Sequence, residues 1–165
     1  AGVELDARTN GPLVDSDFAT NVPGIFAAGT VTAIYDLVDY VSKAGDVAGR
    51  SAARYANGTH SGNSTGSGHA GKRAIHLTAG ENVGNIIPQY LYPDELGERD
   101  VFLTMRPSSL MEQTVKVELD ADETEVMSFR EQYARPAEMI IRKLKERDIE
   151  KLRNSDATEL VARIS

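Results

Sequence analysis

The chain of 165 residues contains no cysteine. This absence excludes disulfide bonds, thiolate catalysis and cysteine-based zinc sites within it. No apolar run reaches the roughly 18 residues that a membrane-spanning helix requires, and no signal peptide is visible. We therefore expect a protein without a membrane span, placed by default in the cytoplasm.

An excess of positive charge is also missing. The formal net charge is −7, and neither patterned portion of the chain is basic, so nucleic acid is not an expected partner. The length suits one ordinary domain or two small ones. The sequence begins Ala1-Gly2-Val3 without methionine and shows structural patterning at once, and we expect it to be part of a longer polypeptide.

The stretch TGSGHAGKR, residues 65–73, matches two nucleotide-binding patterns, G-x-G-x-x-G and G-x-x-x-x-G-K. Both need a preceding strand and a following helix, which place phosphates on backbone N–H groups. Here polar residues precede the loop, the alternating segment 74–79 follows it, and Arg73 stands where a P-loop has serine or threonine. We predict instead a flexible Gly/Ser-rich linker over residues 57–74.

Residues 1–56 predict a hairpin, a buried strand and a helix. Residues 2–5 and Leu13-Val14 flank the turn signal Asn10-Gly11. Val22-Pro23-Gly24 sets a second turn, from which the apolar run 25–28 emerges as a strand buried on both faces.

A helix is predicted next, with Asp36 or Asp39 as its N-cap and Asn57-Gly58 as its stop. Its apolar face repeats at helical spacing. The residues of that face are Leu37, Val41, Ala44, Ala48 and Ala52.

The segments TNVPGIFAAGT and DLVDYVSKAGDVAGRSAARYA together resemble the C-terminal end of the FAD domain in the pyridine nucleotide-disulfide oxidoreductase superfamily. They look closest to the branch of FAD-dependent oxidoreductases found alongside the glycerol-3-phosphate dehydrogenase-like flavoproteins. The family pattern of a threonine, an apolar residue, F/Y-A, a small residue and a glycine is matched by six residues. They are Thr20, Ile25, Phe26, Ala27, Ala28 and Gly29.

The resemblance implies the site residues. Gly29 and Thr30 would meet the ribityl chain of FAD, although Thr30 departs from the aspartate usual in the family. Asp39, Tyr40 and Val41 would lie near the pyrimidine edge of the flavin, where a helix N-terminus stabilises the negative charge of the reduced ring. No catalytic residue is assigned to this chain.

The family's first nucleotide-binding fingerprint and its nicotinamide-binding domain have no counterpart here. We therefore expect the isolated chain to be inactive and to bind FAD negligibly, while the full-length protein is an FAD- and NAD(P)-dependent oxidoreductase. The expected partners are the rest of the parent chain and a partner subunit of an oxidoreductase complex. A homodimer is a further alternative, because it would cover the exposed apolar surface of the hairpin and helix. The alternative function is a non-enzymatic protein-interaction module.

Residues 75–165 predict a small β-rich, sandwich-like domain that ends in a helical segment, so the fold class is α+β. Residues 83–92 are predicted as one strand with Pro88 at an edge or bulge. The other predicted strands cover residues 75–78, 100–106, 113–119 and 124–130. Residues 136–153 either begin a helix at Pro136 or form a strand over 139–144 with a helix near 148–153.

Two residue groups in the chain suggest ligand sites, and both have a simpler interpretation. Arg106, Arg130 and Arg135 each lie near a predicted strand end and could clamp an anion, or they are solvated and ion-paired. The three histidines, His60, His69 and His76, lack the acidic neighbours and helical spacing that a metal site favours, so no metal is expected. The β-rich module is expected to serve as a structural or docking element.

Overall fold

A computed structural model describes residues 2–58, 72–97 and 100–165. The chain divides into two compact units, residues 1–72 (unit 1) and residues 73–165 (unit 2). The described part is mixed α and β, with two α-helices and two sheets of five and three strands, in agreement with the predicted α+β class. The loop over 65–73 and most of the linker predicted over 57–74, with His60 and His69, lie outside the described residues.

Before its helix, unit 1 is built from turns. The predicted hairpin is reduced to one bridge between Leu5 and Pro12, closed by further backbone hydrogen bonds around the turn. The strand predicted over residues 25–28 is wrong, since only Phe26 forms a bridge, with Ala19. A strand buried on both faces needs elements that cover both faces, whereas Ile25 is exposed and the described part of unit 1 pairs this run only at Phe26.

The helix of unit 1, α1, spans Val38–Ala56. Neither Asp36 nor Asp39 is its N-cap, because Leu37 takes that position and Asp39 lies inside the first turn. Its buried positions are Ala44, Ala48 and Ser51. The predicted face is thus confirmed at Ala44 and Ala48 and wrong at Leu37, which is exposed. The helix ends where predicted, at Asn57-Gly58.

The described residues of unit 2 form eight strands, one α-helix and the short 3-10 helix Pro93–Glu95. The strands are β1 Ile75–Ala79, β2 Val83–Ile87, β3 Tyr90–Leu91, β4 Phe102–Pro107, β5 Val115–Ala121, β6 Thr124–Glu131, β7 Ile140–Lys143 and β8 Glu159–Ile164. The helix α2, Glu146–Asn154, lies in the chain between β7 and β8. One sheet has the order β3-β1-β8-β5-β6 and the other the order β2-β4-β7.

The core of unit 2 lies where these sheets share their apolar faces. In the five-stranded sheet β8 is central, pairing parallel with β1 and antiparallel with β5. Leu77, Leu119 and Leu160 from this sheet and Leu103 and Met105 from the other belong to one cluster of buried side chains. Burying alternate residues of both sheets supplies most of the driving force for folding.

For unit 2, one prediction is corrected, one pair of alternatives is decided, and one strand was not predicted. The single strand predicted over 83–92 is divided into β2 and β3, because the chain leaves one sheet and enters the other at the cis peptide bond before Pro88. Proline has no N–H to continue a ladder. Of the alternatives for residues 136–153, the strand followed by a helix is the one observed. Strand β8 was not predicted, because Leu160-Val161-Ala162 interrupts the polar alternation that marks a strand.

Candidate functional site

The turn before the candidate site is closed by a buried threonine. The Thr20 hydroxyl donates to the carbonyl of Ile25 at 3.0 Å and accepts a hydrogen bond from the N–H of Val22 at 3.2 Å. The N–H of Ala27 then donates to the carbonyl of Phe18 at 2.9 Å. These bonds fold the VPGIFA segment back on residues 18–20 and direct the chain into Gly29.

Gly29 turns the chain away from this segment. Its φ is +72°, in the left-handed region that residues with a side chain rarely adopt. Gly29 is also the first residue of the short 3-10 turn Gly29–Val31. Its carbonyl accepts hydrogen bonds from the N–H and the hydroxyl of Thr32, at 2.9 and 2.7 Å. A Cβ atom at Gly29 would lie 3.1 Å from Cγ1 of Val41. The fold therefore brings together Gly29 and Val41, two of the five residues that the resemblance implies.

The N-terminus of α1 has no side-chain cap. Leu37 occupies the N-cap position, where serine, threonine, aspartate or asparagine would supply an oxygen to the first amides. The N–H groups of Tyr40 and Val41 reach back to the Leu37 carbonyl at 3.2 and 3.5 Å. The amides of Val38 and Asp39 precede these bonds, so this end carries the partial positive charge of the helix without a capping side chain.

The remaining implied residues differ in exposure. Thr30 and Asp39 are exposed, and Tyr40 is half-buried. Asp39 is the acidic residue of the first turn. No hydrogen bond joins Thr30 to Asp39 within the described parts of the chain. Both polar side chains are thus available to a ligand at the surface of unit 1.

Large apolar side chains surround the same helix end. Val31, Ile34, Leu37 and Val38 have between 51% and 74% of their surface exposed. Scattered exposed apolar residues are ordinary, but four within eight residues of sequence mark a surface that is normally covered.

The support behind the Gly29 turn was missed by sequence reasoning. The Asn10-Gly11 turn packs on it so closely that a Cβ at Gly11 would lie 2.3 Å from the Val31 carbonyl oxygen and 2.5 Å from that of Thr32. The sequence showed Gly11 only as a turn signal. No pattern reveals a contact between residues 20 positions apart.

Tyr35 follows the turn and is another residue that the sequence did not mark. Burial raises the pKa of its phenol, and a hydrogen bond with the Thr32 side chain acts in the opposite direction. The phenol therefore stays protonated at neutral pH, so Tyr35 serves as a packing and hydrogen-bonding group there.

The three arginines of unit 2 do not form a common anion clamp. Arg106 donates to the carbonyl of Pro136 at 2.6 Å. Arg135 binds both oxygens of Glu112 at 3.1 and 3.0 Å and one oxygen of Glu138 at 2.9 Å. Two carboxylates thus already compensate the Arg135 charge. Arg130 is exposed, and no ion pair is found for it within the described ranges.

A metal site is likewise not formed by the described residues. Among them no three histidine, aspartate or glutamate side chains lie together in a way that could hold an ion. His76 stacks on Tyr90, with ring centroids 4.8 Å apart. Neither helix of the described chain has the length and apolar character needed to cross a bilayer.

Comparison with known proteins identifies no relative: no protein-family model, curated protein or solved structure matches the chain.

Proposed function

We propose that unit 1 contains the C-terminal part of an FAD-binding domain, and that the full-length protein is a flavin-dependent oxidoreductase. In that protein hydride passes between a nicotinamide nucleotide and the flavin. The observation that carries the proposal is the left-handed Gly29, which sits in the family-like segment TNVPGIFAAGT and packs against Val41 below an uncapped helix end.

The chemistry of these residues suits a flavin. The hydroxyl of Thr30 can exchange a hydrogen bond with a ribityl hydroxyl. Gly29 has no side chain and therefore leaves room for the ribityl group to approach the backbone. The Asp39 carboxylate is an acceptor for the N–H donor of the pyrimidine ring. The free amides of Val38 and Asp39 favour negative charge nearby, which is the charge that reduced flavin carries. When bound, FAD would supply the site that accepts and releases the hydride.

The exposed apolar residues support the same proposal. Val31, Ile34, Leu37 and Val38 form a surface that the rest of an FAD domain and the isoalloxazine ring would cover. Without those parts, this chain provides only one wall of a pocket. The isolated chain is therefore expected to bind FAD negligibly and to have no oxidoreductase activity, and unit 2 is proposed as a structural or docking module.

The test uses the product of the complete reading frame that contains this chain. We expect that product to contain a G-x-G-x-x-G segment after a strand and to purify with the visible absorption of bound flavin. Gly29→Val should lose the flavin, since a β-branched side chain is strained at positive φ and would meet Val41. Gly49→Ala, where a Cβ would meet nothing within 4 Å, should retain it.

A complete product without flavin would refute the proposal and leave the protein-interaction module as the remaining function. Stoichiometric flavin on the isolated 165-residue chain would refute the inference that this chain provides only one wall of the flavin pocket. The two results are separate, because the first concerns the parent protein and the second concerns this chain alone.

A further inference from the structure

Strand β7 is an edge of the three-stranded sheet, and alternate backbone groups of it face away from β4. The N–H of Leu144 donates to the carbonyl of Val101 at 2.9 Å, which fixes the alternation of this antiparallel ladder. Arg142 is therefore turned toward β4, whereas the N–H and C=O groups of Ile141 and Lys143 are turned outward. The structure gives these outward groups no backbone partner within residues 72–97 and 100–165 of unit 2.

A cleft of about 270 Å³ runs beside this edge. Residues 139–141 form one wall, and residues 131–133, which end β6 and follow it, form the other. Met139 and Ile140 are only 8% exposed and make the first wall of the cleft apolar. A strand added to β7 would lie about 4.8 Å from it, so its backbone would follow the cleft.

The charges at the cleft favour a positively charged side chain. Arg135, which lines the cleft, is shared between Glu112 and Glu138, and Lys143, further along β7, is paired with Asp100 at 2.7 Å. These cations are already compensated. Glu131 lines the cleft and has no cationic partner among the described residues.

We propose that the β7 edge binds an extended segment of a partner polypeptide as an added strand, with a lysine or arginine of that segment pairing with Glu131. Main-chain hydrogen bonds to Ile141 and Lys143 provide affinity, and the Glu131 carboxylate selects the side chain. The shortness of β7 and its two basic residues limit indiscriminate pairing at this edge. This proposal is independent of flavin binding, because it involves only unit 2.

The test is an NMR titration of the purified chain with two synthetic peptides of about six residues, a common strand length. One peptide alternates valine with lysine, and the other alternates valine with glutamate. The lysine peptide should shift the amide signals of Ile141 and Lys143 and slow their hydrogen exchange. The amides of β8, in the middle of the other sheet, should not change.

Variants separate the two parts of the proposal. Ile141→Pro removes an outward donor and leaves the ladder to β4 intact, so it should weaken binding of the lysine peptide by about tenfold or more. Ile141→Val keeps the N–H and is the matched control, expected to bind as the parent does. Glu131→Gln should weaken binding of the lysine peptide about tenfold and should not weaken binding of the glutamate peptide.

Three results would overturn the proposal. The first is the absence of shifts at Ile141 and Lys143 with the lysine peptide. The second is equal binding of both peptides, which would remove the role of Glu131. The third is a dimer of the free chain that Ile141→Pro converts to a monomer, because the edge would then belong to a second copy. If Ile141→Pro fails to fold, binding of the lysine peptide to Glu131→Gln tests the proposal instead.

Discussion

The carboxylate of Asp17 accepts a hydrogen bond from the hydroxyl of Ser51 at 3.2 Å, and both residues are buried inside unit 1. Arg54 donates to the same oxygen of Asp17 at 3.3 Å and to the Ser51 hydroxyl at 2.9 Å. These bonds connect an acid in the loop before the VPGIFA segment to the C-terminal half of α1. A buried carboxylate is tolerated only with such partners.

Replacing this acid should destabilise unit 1. Asp17→Ala leaves the buried Ser51 hydroxyl without its acceptor, and we expect a loss of about 2 kcal/mol in the free energy of unfolding. The control is Asp46→Ala, since the Asp46–Arg50 pair lies on the surface with side chains 55% and 72% exposed. That change should cost less than about 0.5 kcal/mol. Urea unfolding followed by circular dichroism measures both, and equal losses would contradict the role of Asp17.

Adding a methyl group should destabilise the protein at Gly11, which is closely packed, and stabilise it at Gly45, which is not. Gly11→Ala would force a methyl group against the Val31 and Thr32 carbonyl oxygens and should destabilise unit 1 by about 1 to 3 kcal/mol. Gly45→Ala places its methyl group in open space on α1 and should stabilise the protein by about 0.5 to 1 kcal/mol. Thermal unfolding distinguishes the two, and a neutral Gly11→Ala would show that the turn moves freely.

The hydroxyl of Thr20 should matter more than its shape. Thr20→Val keeps a branched side chain and the backbone bond from the Thr20 N–H to the Ile25 carbonyl, but it removes the hydroxyl that donates to that carbonyl and leaves the Val22 N–H without its acceptor, at an expected cost of about 1 to 2 kcal/mol. Thr20→Ser restores the hydroxyl and should recover most of this loss. Urea midpoints of the two variants test the prediction, which fails if the valine variant is the more stable.

The acidic groups around Arg135 should respond to its removal. Hydrogen bonding to Arg135 lowers the pKa of Glu112 and of Glu138. A lowered carboxyl pKa means that the folded chain binds these protons less tightly than the unfolded chain. The stabilisation is therefore present above the unfolded pKa of about 4.3 and is lost as the pH falls through the folded value.

Arg135→Gln should raise the pKa of both carboxyl groups toward their ordinary value, as measured by NMR titration of the side-chain carboxyl carbons. Added salt should reduce the difference between parent and variant, because the groups are exposed. Arg130→Gln is the matched control and should leave both titrations as they are. Unchanged pKa values in Arg135→Gln would contradict the ion pairs.

The sequence was informative where local pattern determines structure. Alternation of Val115, Val117 and Leu119 with charged residues predicted β5, and small residues at helical spacing predicted α1. The stop signal Asn57-Gly58 also marks the end of α1. These features depend on neighbouring residues alone.

The features that the sequence did not predict depend on tertiary contacts. The run 25–28 looks like a buried strand, but unit 1 contains no sheet to accept it among its described residues. Leu37 displaced the aspartates as N-cap, although it offers no capping oxygen. At the candidate site, glycine and helix positions followed from the motif, whereas the contacts of Gly11 and Asp17 span about 20 to 37 residues and leave no periodic signal.

The central place of β8 has a consequence for how unit 2 is made. Its partners β1 and β5 do not pair with each other, so the two halves of the five-stranded sheet have no ladder between them until Glu159–Ile164 arrive. Until then, the edges of β1 and β5 that pair with β8 carry unpaired N–H and C=O groups. A stall before residue 159 would therefore release a species prone to aggregation rather than a smaller folded domain.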